Sequence, residues 1–165
     1  MKKIGFLVGG KIGRSMAEHV LERKLAEPVF IYDPYVTEEE ICGVKVVHEL
    51  TEDMVSGLDL VVECAAGEVT AEYGEMILRH CDYMPFSMTA FRDDGLAGRM
   101  RAACGKYNRS VFLPHGAILG LDGIFDGREA FTSVSIETIK NPKSLGRDDT
   151  ELTVLYEGTT RKATE

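Results

Sequence analysis

The residues with the clearest chemical purpose lie near the amino end, in Val8-Gly9-Gly10-Lys11-Ile12-Gly13. Between a strand and a helix, glycines at such spacing let backbone N–H groups approach a pyrophosphate and let the helix pack close to the sheet. The full fingerprint is G-x-G-x-x-G; Gly10 and Gly13 fit its second and third glycines, and Val8 stands in place of the first. A β-branched residue there stiffens or crowds the turn. Asp33 follows Gly13 by 20 residues, where a carboxylate accepts hydrogen bonds from an adenosine ribose. Pro34 and Tyr35 come next, with no nearby arginine to receive a 2′-phosphate. NAD is therefore the expected cofactor and NADP the alternative. An ordinary βα turn with a solvated aspartate accounts for the same residues without a ligand. Further on, Ala65 and Ala66 close the run Val62-Glu63-Cys64-Ala65-Ala66-Gly67. Small residues at a strand's carboxyl end leave room for a cofactor, and a tight strand-to-helix turn explains them as well.

These residues need elements to position them. The chain reads as strand Lys3–Val8, a glycine turn, and a helix from Lys11 with Ile12, Met16, Val20 and Leu21 at helical spacing. A strand at Pro28–Asp33 completes a βαβ unit. Further strands are expected at Val44–Val47, Leu58–Cys64, Tyr83–Met88 and Val111–Leu113, with helices at Val69–His80 and Asp93–Tyr107. Pro85 weakens its strand, since proline cannot donate to a ladder, and Asp93 is placed to cap its helix. Alternating strands and helices predict an α/β fold, a Rossmann-type doubly wound parallel sheet over residues 1–112. Residues 113–165 read as the start of an incomplete α+β second domain, with alternating strands at Ser133–Lys140 and Glu151–Glu157. Two such strands cannot bury a face alone. A homodimer through them is the expected cover.

Composition narrows the partners. A net charge of −8 with no block of Lys or Arg argues against nucleic acid and anionic membrane. Cys42, Cys64, Cys81 and Cys104 show no Cys-x-x-Cys pair, which fits reduced packing residues rather than a zinc site or disulfide framework. The apolar run Ile4–Val8 ends in glycines and reads as a strand rather than a signal peptide. No apolar run approaches the roughly 20 residues of a membrane span. A soluble, cytoplasmic protein without metal is expected.

The later part of the chain carries a family resemblance. LPHGAILGLDGI, from Leu113, resembles the P-S-G-A-I-G-G-L-D segment of the archaeal and bacterial L-aspartate dehydrogenases. SIETIKNPKSLG, from Ser135, is similar to their I-E-T-I-K-x-P-K-S-L-G segment almost residue for residue. The V-V-E-C-A run at Val61–Ala65, the S-x-T-A-F-x-D run at Ser87–Asp93 and Glu157-Gly158 fit the same family in order. The resemblance implies a Rossmann domain followed by a substrate and dimerisation domain. It also implies NAD(P)-dependent conversion of L-aspartate, a dicarboxylic amino acid, to iminoaspartate on the route to NAD. By position it implies cofactor contacts from Gly10, Lys11, Ile12, Asp33, Ala65, Ala66 and Ala117. Val8, His115 and Leu119 depart from the family, which has glycine, serine and glycine there. Relative to the family the chain is expected to be C-terminally truncated, lacking the catalytic histidine segment, which leaves the catalytic residue unknown. Of the histidines present, His115 is the one expected at the cleft, as a replacement acid or base or simply as a polar loop residue. Lys140 and Lys143 either position a dicarboxylate or sit exposed on an edge strand. The alternative to an enzyme is a catalytically incomplete NAD-binding remnant, or a fragment with a non-enzymatic role.

Overall fold

Near-continuous runs of apolar residues make the strands, because each strand is covered on both faces. In β1 (Lys3–Leu7) every residue after Lys3 is buried. Successive side chains point to opposite faces, and Ile4 and Phe6 join one core while Leu7 joins the other. The computed structural model describes residues 1–115, 120–145, 147–148, 150–155 and 157–158. Two compact units divide it, Met1–Leu121 and Asp122–Glu165.

The first unit is the expected α/β fold. After β1 come α1 (Lys11–Glu22), β2 (Glu27–Tyr32), β3 (Glu40–Ile41), β4 (Val44–Val47), α2 (Glu52–Val55) and β5 (Leu60–Glu63). Helix α3 (Gly67–Leu78), β6 (Asp82–Pro85), a 3₁₀ turn at Met88–Arg92 and α4 (Asp94–Tyr107) follow. The sheet order is β3-β4-β2-β1-β5-β6, parallel except for β3 against β4. Chain order therefore reverses direction at β1, whose neighbours are β2 and β5. In such sheets ligands lie outside the carboxyl ends of the strands at this switch. One core, with Ala17 of α1, contains Phe6, Ile31 and Val62; the other packs Leu7, Val61 and Tyr83 against Ile77 and Leu78 of α3 and Leu96 and Met100 of α4. Asp93 caps α4, accepting from the Gly95 amide at 2.8 Å and the Leu96 amide at 3.3 Å.

Three expectations need correction. The strand expected at Tyr83–Met88 runs from Asp82 to Pro85 and then turns into 3₁₀ structure. Pro85 stays in register with Glu63, and the Phe86 N–H still donates to the Glu63 carbonyl at 2.9 Å. Tyr83, two residues earlier, donates to Ser110 on the outer edge, so the missing N–H of Pro85 falls on that edge, where proline is tolerated. The strand expected at Val111–Leu113 is a single bridge of Val111 to Tyr83. The strands expected at Ser133–Lys140 and Glu151–Glu157 do not form in the described residues of those ranges, which carry no regular structure. Alternation supplies the faces of a strand, but its N–H and C=O groups need a ladder partner, and the described residues supply none. The second unit instead holds α5 (Leu121–Asp126), which starts at the boundary, and a 3₁₀ turn at Pro142–Leu145. Val134, Ile136, Ile139, Leu152 and Val154 are all exposed.

Candidate functional site

The turn after β1 is held from below by its neighbour strand. The Val8 N–H donates to the Tyr32 carbonyl at 2.6 Å, and Val8 takes φ +82°. That is left-handed space where a β-branched residue is strained, at about 1–3 kcal/mol. The strain falls on Val8 itself. The consequence is visible at Gly13, where an added Cβ would lie 2.0 Å from the Val8 carbonyl oxygen. Only glycine lets α1 start so close to that carbonyl. At Gly9 an added Cβ would lie 2.6 Å from Ile41 Cδ1. The helix opens at Gly10, which has extended backbone and no side-chain cap, and no acidic residue stands in the first turn. Amides of a first turn left uncapped and unopposed by carboxylates suit an anion. Gly10, Lys11 and Ile12 are exposed there, whereas Gly13 is buried.

Asp33 closes the turn from the end of β2. It is only 5% exposed. Its Oδ2 accepts the Gly9 amide at 2.9 Å, and its Oδ1 accepts the Tyr35 and Val36 amides at 2.9 and 3.1 Å. A carboxylate has about four acceptor positions, so one on Oδ2 remains. His48 Nδ1 donates to the Asp33 carbonyl at 2.8 Å, tying the end of β4 to the same corner.

Arg14, one residue into α1 past Gly13, was not among the expected site residues. Its Nε donates to the Gly9 carbonyl at 2.8 Å and its Nη2 to Glu38 Oε1 at 2.7 Å. Glu38 lies in the loop beyond Asp33. The hydrogen bond from Arg14 holds its carboxyl below the usual range, while the charge of Asp33 acts in the opposite sense.

Across the switch, Ala65 and Ala66 follow β5, Ala65 half-buried and Ala66 exposed as the N-cap of α3. Ala65 is held by Glu63, which is fully buried. Glu63 Oε1 accepts from the Ala65 amide and from Ser87 Oγ at 2.8 Å; Oε2 accepts from the Ser87 amide at 3.1 Å and from Thr70 Oγ1 at 3.3 Å. Tyr83 Oη lies 3.0 Å from Thr70 Oγ1. Sequence reasoning missed this role, although a carboxylate inside an otherwise apolar strand signals a paired buried charge. Cys64 beside it is no thiolate: burial chiefly, with the charge of Glu63 added, pushes its pKa up to about 12.

Six of the expected cofactor residues (Gly10, Lys11, Ile12, Asp33, Ala65 and Ala66) thus follow the carboxyl ends of three adjacent parallel strands. Ala117 lies outside the described residues. His115 is exposed, as is Lys140 in the second unit. No helix among the described residues is long and apolar enough to cross a membrane, and no group of three potential metal ligands occurs among them.

Residues 9–114 match the protein family described as Homoserine dehydrogenase, NAD binding domain. The crystal structure of aspartate dehydrogenase from Thermotoga maritima superposes with a TM-score of 0.71 at 32% identity, covering 99% of this chain and 67% of that one. The chain belongs to the L-aspartate dehydrogenase family. The L-aspartate dehydrogenase of Thermotoga maritima is 34% identical over 94% of the chain, and that of Archaeoglobus fulgidus is 32% identical over 98%. The chain spans 62% and 65% of the lengths of these two relatives. A meso-diaminopimelate dehydrogenase structure from Clostridium tetani, at 18% identity and TM-score 0.59, shares the fold.

Proposed function

We propose that this chain carries the dinucleotide-binding domain of an L-aspartate dehydrogenase, acting on a dicarboxylic amino acid with NAD or NADP. The observation that carries the reading is the corner at which Gly9, Gly13 and Asp33 meet. There the uncapped start of α1 and a buried carboxylate with one acceptor position left stand at the ends of adjacent strands. In this reading the amides of Lys11 and Ile12 hold the pyrophosphate, because Gly10 carries no side chain to obstruct it. The remaining acceptor position of Asp33 takes a ribose hydroxyl. Ala65 and Ala66 bound the cofactor on the β5 side, and Ala117 lies toward its nicotinamide end. The bound nicotinamide supplies the hydride acceptor and donor. Residues 1–112 form the cofactor domain of this proposal and residues 113–165 belong to its substrate and dimerisation part. A cytoplasmic homodimer through the apolar residues of 133–157 completes it, and sedimentation as a clean monomer would remove that element.

Titration with NADH, followed by the cofactor's own fluorescence, tests the reading. The chain has no tryptophan, so protein emission does not mask the signal. Saturable enhancement is expected. A flat titration with both NADH and NADPH would contradict cofactor binding. An assay with L-aspartate and NAD then asks whether the bound cofactor turns over.

A further inference from the structure

Gly9 joins two groups that sequence spacing keeps apart. Its N–H donates to the Asp33 carboxylate and its carbonyl accepts from the Arg14 guanidinium. The guanidinium therefore stands one residue's breadth from the carboxylate proposed to read the ribose, and it reaches out to Glu38 on the loop that follows. That loop, residues 33–44, contains Asp33, Glu38, Glu39 and Glu40 and neither lysine nor arginine. Whatever cation meets a group on the adenosine ribose must come from another element, and Arg14 is the cation whose contacts place it on this loop. Its side chain and that of Glu38 are 40% and 50% exposed, so both are open to an incoming ligand.

We propose that Arg14 and Glu38 form the cofactor-discriminating pair of this chain, Glu38 engaging the guanidinium and so turning away a 2′-phosphate. The inference rests on the dinucleotide reading and deepens it. An arginine near the ribose is what a 2′-phosphate requires. A guanidinium with two of its donors committed offers less of its planar fork to a phosphate. Glu38 also repels the phosphate as a like charge. Replacing Glu38 by an amide releases the guanidinium and removes the repulsion in one step. Because an exposed ion pair contributes only about 0–1 kcal/mol to stability, Glu38→Gln leaves the fold intact.

The test is the ratio of dissociation constants for NADPH and NADH, read by nicotinamide fluorescence on the full chain. The wild type is expected to bind NADH more tightly. In Glu38→Gln the ratio should shift toward NADPH by about tenfold, the scale of one charge-assisted hydrogen bond. Adding Arg14→Gln to Glu38→Gln should remove most of the shift, leaving only the part due to lost repulsion, and raising the salt concentration should shrink it. An unchanged ratio in Glu38→Gln, with NADH still saturating, would overturn the pair while leaving the dinucleotide reading standing. A shift undiminished in the double variant would overturn the role of Arg14. Failure of the wild type to bind either cofactor would overturn the dinucleotide reading and the pair with it.

Discussion

Two buried carboxylates stand at the carboxyl ends of neighbouring parts of one sheet, and they are used differently. Glu63, the last residue of β5, accepts two amides and two hydroxyls, filling all of its acceptor positions. It is a brace that joins the end of β5 to Ser87 beyond β6 and to Thr70 on α3. Asp33, after β2, accepts three amides and keeps one position on Oδ2. Burying a charge is tolerable when hydrogen bonds replace water, and both residues meet that condition. The difference lies in what remains. A completely satisfied carboxylate can only hold structure, whereas an incompletely satisfied one at a strand end can also receive a ligand.

The largest effect should come from Glu63→Gln. The amide keeps one acceptor oxygen and turns an N–H₂ toward groups that themselves donate, so stability should fall by about 3 kcal/mol. The midpoint of urea unfolding measures it. A loss below about 1 kcal/mol would mean that the brace is not what orders this end of the sheet. Asp33→Asn disturbs three amides rather than four partners. It should cost about 2 kcal/mol and weaken NADH binding about tenfold or more, since the ligand loses a charged acceptor. If Asp33→Asn unfolds more easily but binds NADH as before, the contrast between brace and reader fails.

A third substitution works in the opposite direction. Val8→Gly removes a β-branched side chain from φ +82°. Relief of about 1–3 kcal/mol of strain is partly offset by the greater freedom of glycine in the unfolded chain, about 1 kcal/mol. A net gain of about 1 kcal/mol is expected in the same urea experiment. A loss would show that packing of the valine outweighs its backbone strain.

The smallest effect concerns the thiols. Burial pushes Cys64 and Cys81 from the ordinary 9.0 up to about 12. Their folded-state pKa values are raised, so the neutral thiols belong to the native state. The stability this implies is present below pH 9 and is lost as pH rises from 9.0 toward about 12. Alkylation at pH 8 should therefore label exposed Cys42 first. Equal labelling of Cys81 by peptide mapping would contradict its burial.

The contrast between the two carboxylates also marks where the sequence was legible. Gly10, Gly13 and Asp33 lie within one βαβ unit, so local spacing reveals them, and the parallel sheet follows from alternating apolar strands and amphipathic helices. The Glu63 network draws on Ala65, Thr70, Tyr83 and Ser87 from four segments, and no local period connects them. Arg14 and Glu38 are 24 residues apart, joined only because β2 returns beside β1. The positive φ of Val8 goes with a hydrogen bond to Tyr32 on the neighbouring strand, a tertiary contact that no local pattern reports. At 133–157 the alternation of Val134, Ile136, Leu152 and Val154 is real, yet alternation reports which faces would differ rather than whether a ladder partner is present.

Backbone amide chemical shifts during an NADH titration test the central claim most directly, because they locate the ligand as well as detect it. The account predicts saturable shifts centred on Gly10 to Gly13, Asp33 to Val36 and Ala65 to Gly67, with the far end of the sheet near Lys3 and Leu60 unmoved. Shifts centred elsewhere, such as the groove lined by Phe91, Arg101 and Arg109, or none at all, would contradict it.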